Sequence, residues 1–443
     1  MTVVQPVPVG LPPDSKSGPG RTGRPTPARL WLITAGLTAV VLALLAVTAA
    51  SFLQARARTD TVTSRARTAA QAGDLYFALA DLDAEAARLV LLGDGDGAAG
   101  DGAYDGNQLS ALISYNQRTA QVDSDLQALS ADGADATAIA SGITEYRSTA
   151  DAAIGLDEFP GALAGQPTQT AIGFYGRAAT MMQDMVLPEA AQLRNRTAAE
   201  ATQAANDAHT WAIIGLIGTL VLGVLATLTL IAAQRRFSDL FRRRLNPALI
   251  AATVLTVGLF GGAALGLGAT ARDADAAGSR LATYLQVVGT RADSYDADGT
   301  AVRSVLMPDA FGQAQLTPQE STVDKDLATL GPIADGAGKL WDKGPVKDYT
   351  TILDAMAEGD TPQALAKALT TETGTARGED AFDFYDYDQT LQTVDSQRLA
   401  DFQAAANGLS ADVSPWLLWP WILAGATLLL IALAVRPRLA EYQ

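Results

Sequence analysis

The 443-residue chain has no cysteine and a single histidine, His209. Without cysteine there is no disulfide, no thiolate metal site and no attachment point for lipid of the bacterial lipoprotein kind. One histidine leaves no His-based zinc triad, and Cys/His catalysis is excluded as well. No Gly-rich loop precedes a Lys-Ser/Thr pair, which removes the P-loop nucleotide site. The most informative absence is of charge. Residues 30–53, 211–233, 247–270 and 415–435 contain no Asp, Glu, Lys, Arg or His. Transporters, pumps and channels usually keep such groups on their ion or substrate paths, because a buried charge is costly and is retained for use. A non-enzymatic protein without a cofactor is expected, and transport is disfavoured.

Each of these four stretches has the ~20 apolar residues a helix needs to cross a hydrocarbon core of about 30 Å. They form two pairs, bracketing polar segments of similar size at 54–210 and 271–414. The predicted order is span, outer domain, span, short turn, span, outer domain, span: two similar halves. The first span is longer than the apolar region of a cleavable signal, so it is expected to stay as a helix.

Charge sets the orientation. Segments 1–29, 234–246 and 436–443 hold eleven basic residues against three acids. Short basic segments beside membrane helices stay in the cytosol, so both termini and the middle turn are predicted to face inward across the cell membrane. The outer segments hold 21 acids with 10 bases and 24 acids with 11, so the excess of acid behind the chain's formal charge of −16 lies wholly outside. No nucleic-acid partner is expected. Trp31, Trp211, Trp416, Trp419 and Trp421 lie at predicted span ends, where an amphipathic ring suits the headgroup layer. The tail 1–29 opens with Pro, Gly, Ser and Thr in a composition expected to stay disordered.

The outer segments are rich in Ala, Leu, Gln, Asp and Thr, without strand-like runs. Leu75, Leu82 and Leu89, with Ala78, Leu79 and Ala86, form one apolar helix face; Asp81, Asp83, Glu85 and Arg88 fall mostly elsewhere. Helices are predicted near 54–92, 107–131, 134–156 and 168–210, with a break or kink at Pro188. In the second segment, Thr317-Pro318-Gln319-Glu320 and Thr361-Pro362 are expected helix starts, and a last helix is expected near 381–413. The fold class is an all-α membrane protein with four transmembrane helices. Two extracytoplasmic up-down helical bundles stand in tandem, resembling sensor bundles.

Small residues recur at helical spacing inside the spans: Gly258, Gly262 and Gly266 in the third, and Gly215, Thr219 and Gly223 in the second. Such rows let helix backbones approach closely, within one four-helix bundle or between two copies in a homodimer. His209 beside Trp211 suits a solvated position at the membrane boundary. In the Gly/Asp run at 93–106, Asp94, Asp96 and Asp105 match positions 1, 3 and 12 of an EF-hand loop, but Ala98 and Ala99 stand where a ligand and a glycine are needed. No metal is expected there. The run GEDAFDFYDYD at 378–388 suits either a basic partner or the acidic first turn of a helix with its aromatics turned inward. Trp341 suits core packing or ligand stacking. About fifty residues face the cytosol, too few for a kinase or cyclase, so any signal must pass to a separate partner. Arg235, Arg236, Arg242, Arg243 and Arg244 in the middle turn are the candidate contact, alongside their role toward lipid headgroups.

The segments 75–87 (LYFALADLDAEAA), 175–193 (YGRAATMMQDMVLPEAAQL), 242–256 (RRRLNPALIAATVLT) and 437–443 (PRLAEYQ) carry a resemblance. The chain resembles the actinobacterial four-span membrane proteins associated with an extracytoplasmic glutamine-binding lipoprotein and a cytosolic protein kinase G. That resemblance implies a transmembrane relay: a solute-binding lipoprotein senses glutamate or aspartate, and a cytosolic Ser/Thr kinase receives the signal. The rival classes are a membrane scaffold with envelope-binding bundles and a transporter accessory subunit.

Overall fold

The computed structural model describes residues 26–94, 105–157, 163–241, 247–343, 347–358, 367, 369 and 380–440. Among these, every regular element is helical. In chain order they are α1 (Thr26–Leu92), α2 (Asp105–Ala131), α3 (Thr137–Asp157), α4 (Gln169–Met181), α5 (Leu187–Phe241), α6 (Pro247–Leu306), α7 (Pro308–Phe311), α8 (Gln313–Leu330), α9 (Asp335–Trp341), α10 (Lys347–Ala357), α11 (Asp380–Val413) and α12 (Trp419–Ala440). The helices of 67, 55 and 60 residues each join an apolar stretch to a polar one. The expected start at Thr361-Pro362 lies outside the described residues.

The chain divides into two compact units. The first comprises residues up to 48, 218–262 and those from 418 onward. Its interior consists of apolar layers. Leu37 and Val41 of α1, Leu230 and Ala233 of α5, Leu249 and Ala252 of α6, and Ile431 and Ala434 of α12 form one. Leu44, Ala226, Leu259 and Ala424 form another. Leu42, Val221, Leu228, Val254 and Leu429 point outward, as lipid-facing side chains do when the surrounding solvent is as apolar as they are. Trp31–Leu92, Gln169–Arg236 and Pro247–Leu306 are long and apolar enough to cross a membrane, and Trp419–Ala434 is a shorter apolar helix. By length and composition this is a membrane protein.

The second unit comprises residues 49–217 and 263–417. One part is a four-helix stalk built on small side chains: Val62, Ala66 and Ala69 of α1, Ala201, Ala205 and Ala208 of α5, Ala274, Ala277 and Leu281 of α6, and Phe402, Ala405 and Ala406 of α11. In α1, α5 and α6 the alternating spacing of three and four is that of a bundle seam. Beyond it, a larger core takes Leu75, Leu79, Leu82, Tyr146, Tyr175 and Leu187 from the first segment and Val287, Val302, Val323, Ile352, Tyr387 and Leu391 from the second. Here the structure differs from the tandem arrangement suggested by the sequence, because the two segments share one core. The cause is visible on α1 and α6. Residues 75–92 and 287–306 are buried on nearly every side, so neither helix has a solvated face around which a separate bundle could close.

Two prolines sit differently from expectation. Pro188 does not break the chain's course. A π-helical turn, Met182–Val186, precedes it, widening the ladder where proline lacks an N–H and would crowd the carbonyl four residues back. Pro318 does not open its helix: α8 begins at Gln313 and contains the proline. The Asp132-Gly133 turn between α2 and α3 places Gly133 at φ 80°, a left-handed conformation that glycine adopts without steric cost.

Candidate functional site

The buried stretches of α1 and α6 carry the same polar pattern. Asp81-Leu82-Asp83-Ala84-Glu85-Ala86-Ala87-Arg88-Leu89-Val90-Leu91 matches Asp296-Ala297-Asp298-Gly299-Thr300-Ala301-Val302-Arg303-Ser304-Val305-Leu306 position by position: two aspartates, an alanine, an arginine, a valine and a leucine. The structure explains the match. Arg88 donates to Glu85 in its own copy (2.8 Å) and to Asp298 in the other (2.8 Å). Arg303 donates to Thr300 in its own copy (2.6 Å) and to Asp83 in the other (2.6 Å). Each arginine therefore binds the fifth position of its own motif and the second aspartate of its counterpart. The two helices thus exchange side chains reciprocally.

The first aspartate of each motif reaches a helix that follows its own. Asp81 pairs with Arg118 of α2, and Asp296 accepts from Gln319 of α8 at 2.8 Å. The copies thus differ at two places: Glu85 against Thr300, and Arg118 against Gln319. One is charged where the other is neutral.

Access differs between the two exchanged arginine pairs. Around Asp83 and Arg303 the network is sealed; their side chains are 0% and 1% exposed. The Tyr146 hydroxyl donates to Asp83 at 2.9 Å, and Tyr175 lies at 3.4 Å from the same carboxyl oxygen. Around Asp81, Glu85 and Arg88 the network instead borders an open cleft of about 460 Å³. Its walls are α1, α2 with Asn107, Ser110 and Arg118, Tyr295 of α6, and α11 with Phe382, Phe384, Tyr385 and Asp388. Asp388 accepts from Nε and Nη2 of Arg291, at 2.7 and 3.1 Å. The Arg118 and Arg291 guanidiniums stand 4.6 and 4.4 Å from the centre of the Phe77 ring, an arrangement favoured by its negative faces. Tyr295 packs edge-on against both Phe77 and Phe384. The cleft therefore offers fixed charges of both signs beside aromatic surface, inside a volume suited to a small ligand.

Three carboxyls elsewhere in this unit are pushed up to about 6. Burial is the main cause for each of Asp125, Asp293 and Asp395. The neighbouring Asp74 charge adds to the effect for Asp125 and Asp395. Arg194 opposes it at Asp293, and Arg291 opposes it at Asp395. A carboxyl whose folded pKa exceeds its unfolded one binds more protons when folded. Its stabilising contribution is complete below the unfolded value and is lost as pH rises through about 6. Thermal unfolding of the purified protein should therefore shift upward between pH 7.5 and 5.5. Replacing Asp125 and Asp395 with asparagine should flatten that profile.

The structure separates the residues singled out by sequence. Arg235 and Arg236 are exposed near the end of α5, while Arg242, Arg243 and Arg244 lie outside the described residues. The glycine rows split. A side chain at Gly215 would meet Ser51, one at Gly223 would meet Phe260, and one at Gly266 would meet the Trp416 indole. At Gly258 nothing lies within 4 Å, Gly262 is half-buried, and Thr219 is buried. His209 is half-buried, its Nδ1 donating to the Ala271 carbonyl at 3.0 Å. Trp341 is buried and donates to Asp324 at 3.0 Å. Among the described residues no group of acidic or histidine side chains is arranged to hold a metal; residues 95–104 of the Gly/Asp run fall outside them. The aromatic run divides its duties, with Tyr387 in the core and Phe382, Phe384 and Tyr385 along the cleft. Asp81, Glu85, Arg88 and Arg118 carry the cleft and are not evident from amphipathic patterning. The repeated motif is the signal in the sequence that points to the first three.

Residues 57–206 match the family model described as an actinobacterial sensor domain. The matched stretch contains the first motif and Arg118, and it supports a sensor or signalling role. No curated protein and no solved structure matches the chain.

Proposed function

We propose that this protein is a four-span transmembrane relay that reports extracytoplasmic amino-acid availability, glutamate or aspartate, to a cytosolic Ser/Thr kinase. A solute-binding lipoprotein is its outer partner, and the basic turn with Arg235, Arg236, Arg242, Arg243 and Arg244 is the inner contact. Both termini lie in the cytosol, and the protein itself catalyses nothing. One observation carries this reading: the sensor-domain match begins and ends on long helices that also bear membrane-length apolar stretches. A helix shared in this way can carry a small shift or tilt between the two faces of a membrane. A ligand drives such a shift only by binding the two conformations unequally.

The test is affinity capture of the tagged full-length protein from native membranes, with and without added glutamate and aspartate. Recovery of a solute-binding lipoprotein and a Ser/Thr kinase is the expected result. Changing Arg242, Arg243 and Arg244 together to Gln should abolish kinase recovery while leaving membrane insertion intact. If neither partner is recovered with well-folded protein, the scaffold class takes its place.

A further inference from the structure

Resting on that reading of the protein as an amino-acid sensor, we infer that the cleft beside Asp81 and Arg118 binds a small zwitterion directly: a free α-amino acid, taken between this carboxylate and this guanidinium. The motif repeat identifies the position. In the second copy the equivalent aspartate, Asp296, meets the amide of Gln319. In the first copy the amide is replaced by a guanidinium, Glu85 replaces a hydroxyl, and the surroundings open into a cleft. Asp296 has the Arg303 guanidinium only at 3.7 Å, and that guanidinium is sealed; Asp81 has one in direct contact that also lines a cleft, which is what a polar ligand requires.

Charge balance sets the ligand class. Each guanidinium at this wall already holds a carboxylate: Arg118 holds Asp81, and Arg88 holds Glu85 and Asp298. A ligand with one charge would release one member of a pair and leave the other in a poorly solvated site, which is expensive. A ligand bearing both an ammonium and a carboxylate inserts without that cost. Its carboxylate takes the Arg118 guanidinium, whose planar fork suits a carboxylate, and its ammonium takes the released Asp81 beside the aromatic ring of Tyr295. The Arg118 side chain is 28% exposed against 6% for Asp81, so the guanidinium is the group that approaching ligand meets first. Because Asp81 is on α1 and Arg118 on α2, insertion replaces a direct tie between the two helices with a bridged one. The two states therefore differ in the spacing of α2 from a helix that also carries an apolar stretch.

The experiment is calorimetry on the purified full-length protein in detergent, without lipoprotein. The probes are L-glutamate, L-aspartate, L-glutamine and L-alanine, with propionate and ethylamine as single-charge fragments of alanine. The expected result is binding of at least one amino acid and neither fragment. Arg118→Gln, which copies the contact of the second motif, should weaken that binding roughly ten- to hundredfold, measured at a temperature where thermal unfolding shows the variant folded. Equal binding by Arg118→Gln, binding of either fragment as tight as alanine's, or no binding of any amino acid overturns the cleft site. In that last case, glutamate-dependent capture of lipoprotein from membranes would leave the relay standing. Amino-acid binding that depends on Arg118, with neither lipoprotein nor kinase captured, would retain the cleft and remove the relay.

Discussion

Replacing Asp83 with alanine is expected to destabilise the polar unit by about 3–5 kcal/mol, the range for removing one partner of a buried ion pair. Both side chains of the pair are out of water, so the loss leaves the Arg303 guanidinium without a close carboxylate, with the neutral Thr300 hydroxyl and Gln183 amide oxygen and, at 3.7 Å, Asp296. The Tyr146 hydroxyl also loses its acceptor, and a buried donor without an acceptor carries its own penalty. Arg303→Met should cost a similar amount, since it leaves a buried carboxylate with only tyrosine hydroxyls. The double change Asp83→Asn with Arg303→Met should cost clearly less than the sum, because no net charge is then stranded. Thermal and denaturant unfolding in detergent measure all three. A single change worth less than about 1 kcal/mol, or full additivity, would contradict a closely coupled pair.

Gly223→Leu is the second large effect, expected in the apolar unit. A β-carbon at this site would stand 2.5 Å from the Phe260 Cβ. That atom is next to the backbone, so no rotation of the ring relieves the contact and the helices must separate. Overpacking of this kind costs about 1–3 kcal/mol. Gly258→Leu is the matched control, because nothing lies within 4 Å of its added carbon. Both changes gain about 1 kcal/mol or less of helix propensity on leaving glycine, so the difference between them isolates packing. Unfolding temperature should fall for Gly223→Leu and hold for Gly258→Leu, and the loss from Gly223→Leu should be smaller in a Phe260→Gly background, where the opposing β-carbon is gone. If the two glycines respond alike, the Phe260 contact is not what requires Gly223.

Much of the helical layout was legible because it depends on short-range physics. Apolar runs without charge can only be buried or membrane-exposed, and predicted helices at 107–131 and 381–413 correspond to α2 at Asp105–Ala131 and α11 at Asp380–Val413. Caps and turns such as Asp132-Gly133 act over a few residues and can be read locally. Pro188 shows the limit of that approach. Its local rule is a kink, yet an adjacent π turn absorbs the misfit within the tertiary packing.

The site was less legible. Asp81, Asp83, Glu85 and Arg88 sit off the leucine face of α1, and on a surface helix that places them in water. Here Asp81, Asp83 and Glu85 are buried and Arg88 is half-buried. Periodicity reports one apolar stripe, but it carries no information about a partner able to neutralise the opposite face. That partner is α6, distant in sequence and equipped with the same motif in reciprocal register. The polar residues of each copy could be recognised as buried only once the other copy lay beside it.

By itself the sequence determined that the regular elements among the described residues are helices, and where its charge-free stretches and the polar segments between them fall, because helix propensity and hydropathy act over one or two turns. Only the tertiary structure decided that the two polar segments share one core, that their charges are exchanged across it, and that one copy of the exchange is sealed while the other opens onto a cleft. Those outcomes depend on which buried charges can find partners hundreds of residues away, and desolvation penalises every arrangement that leaves one alone.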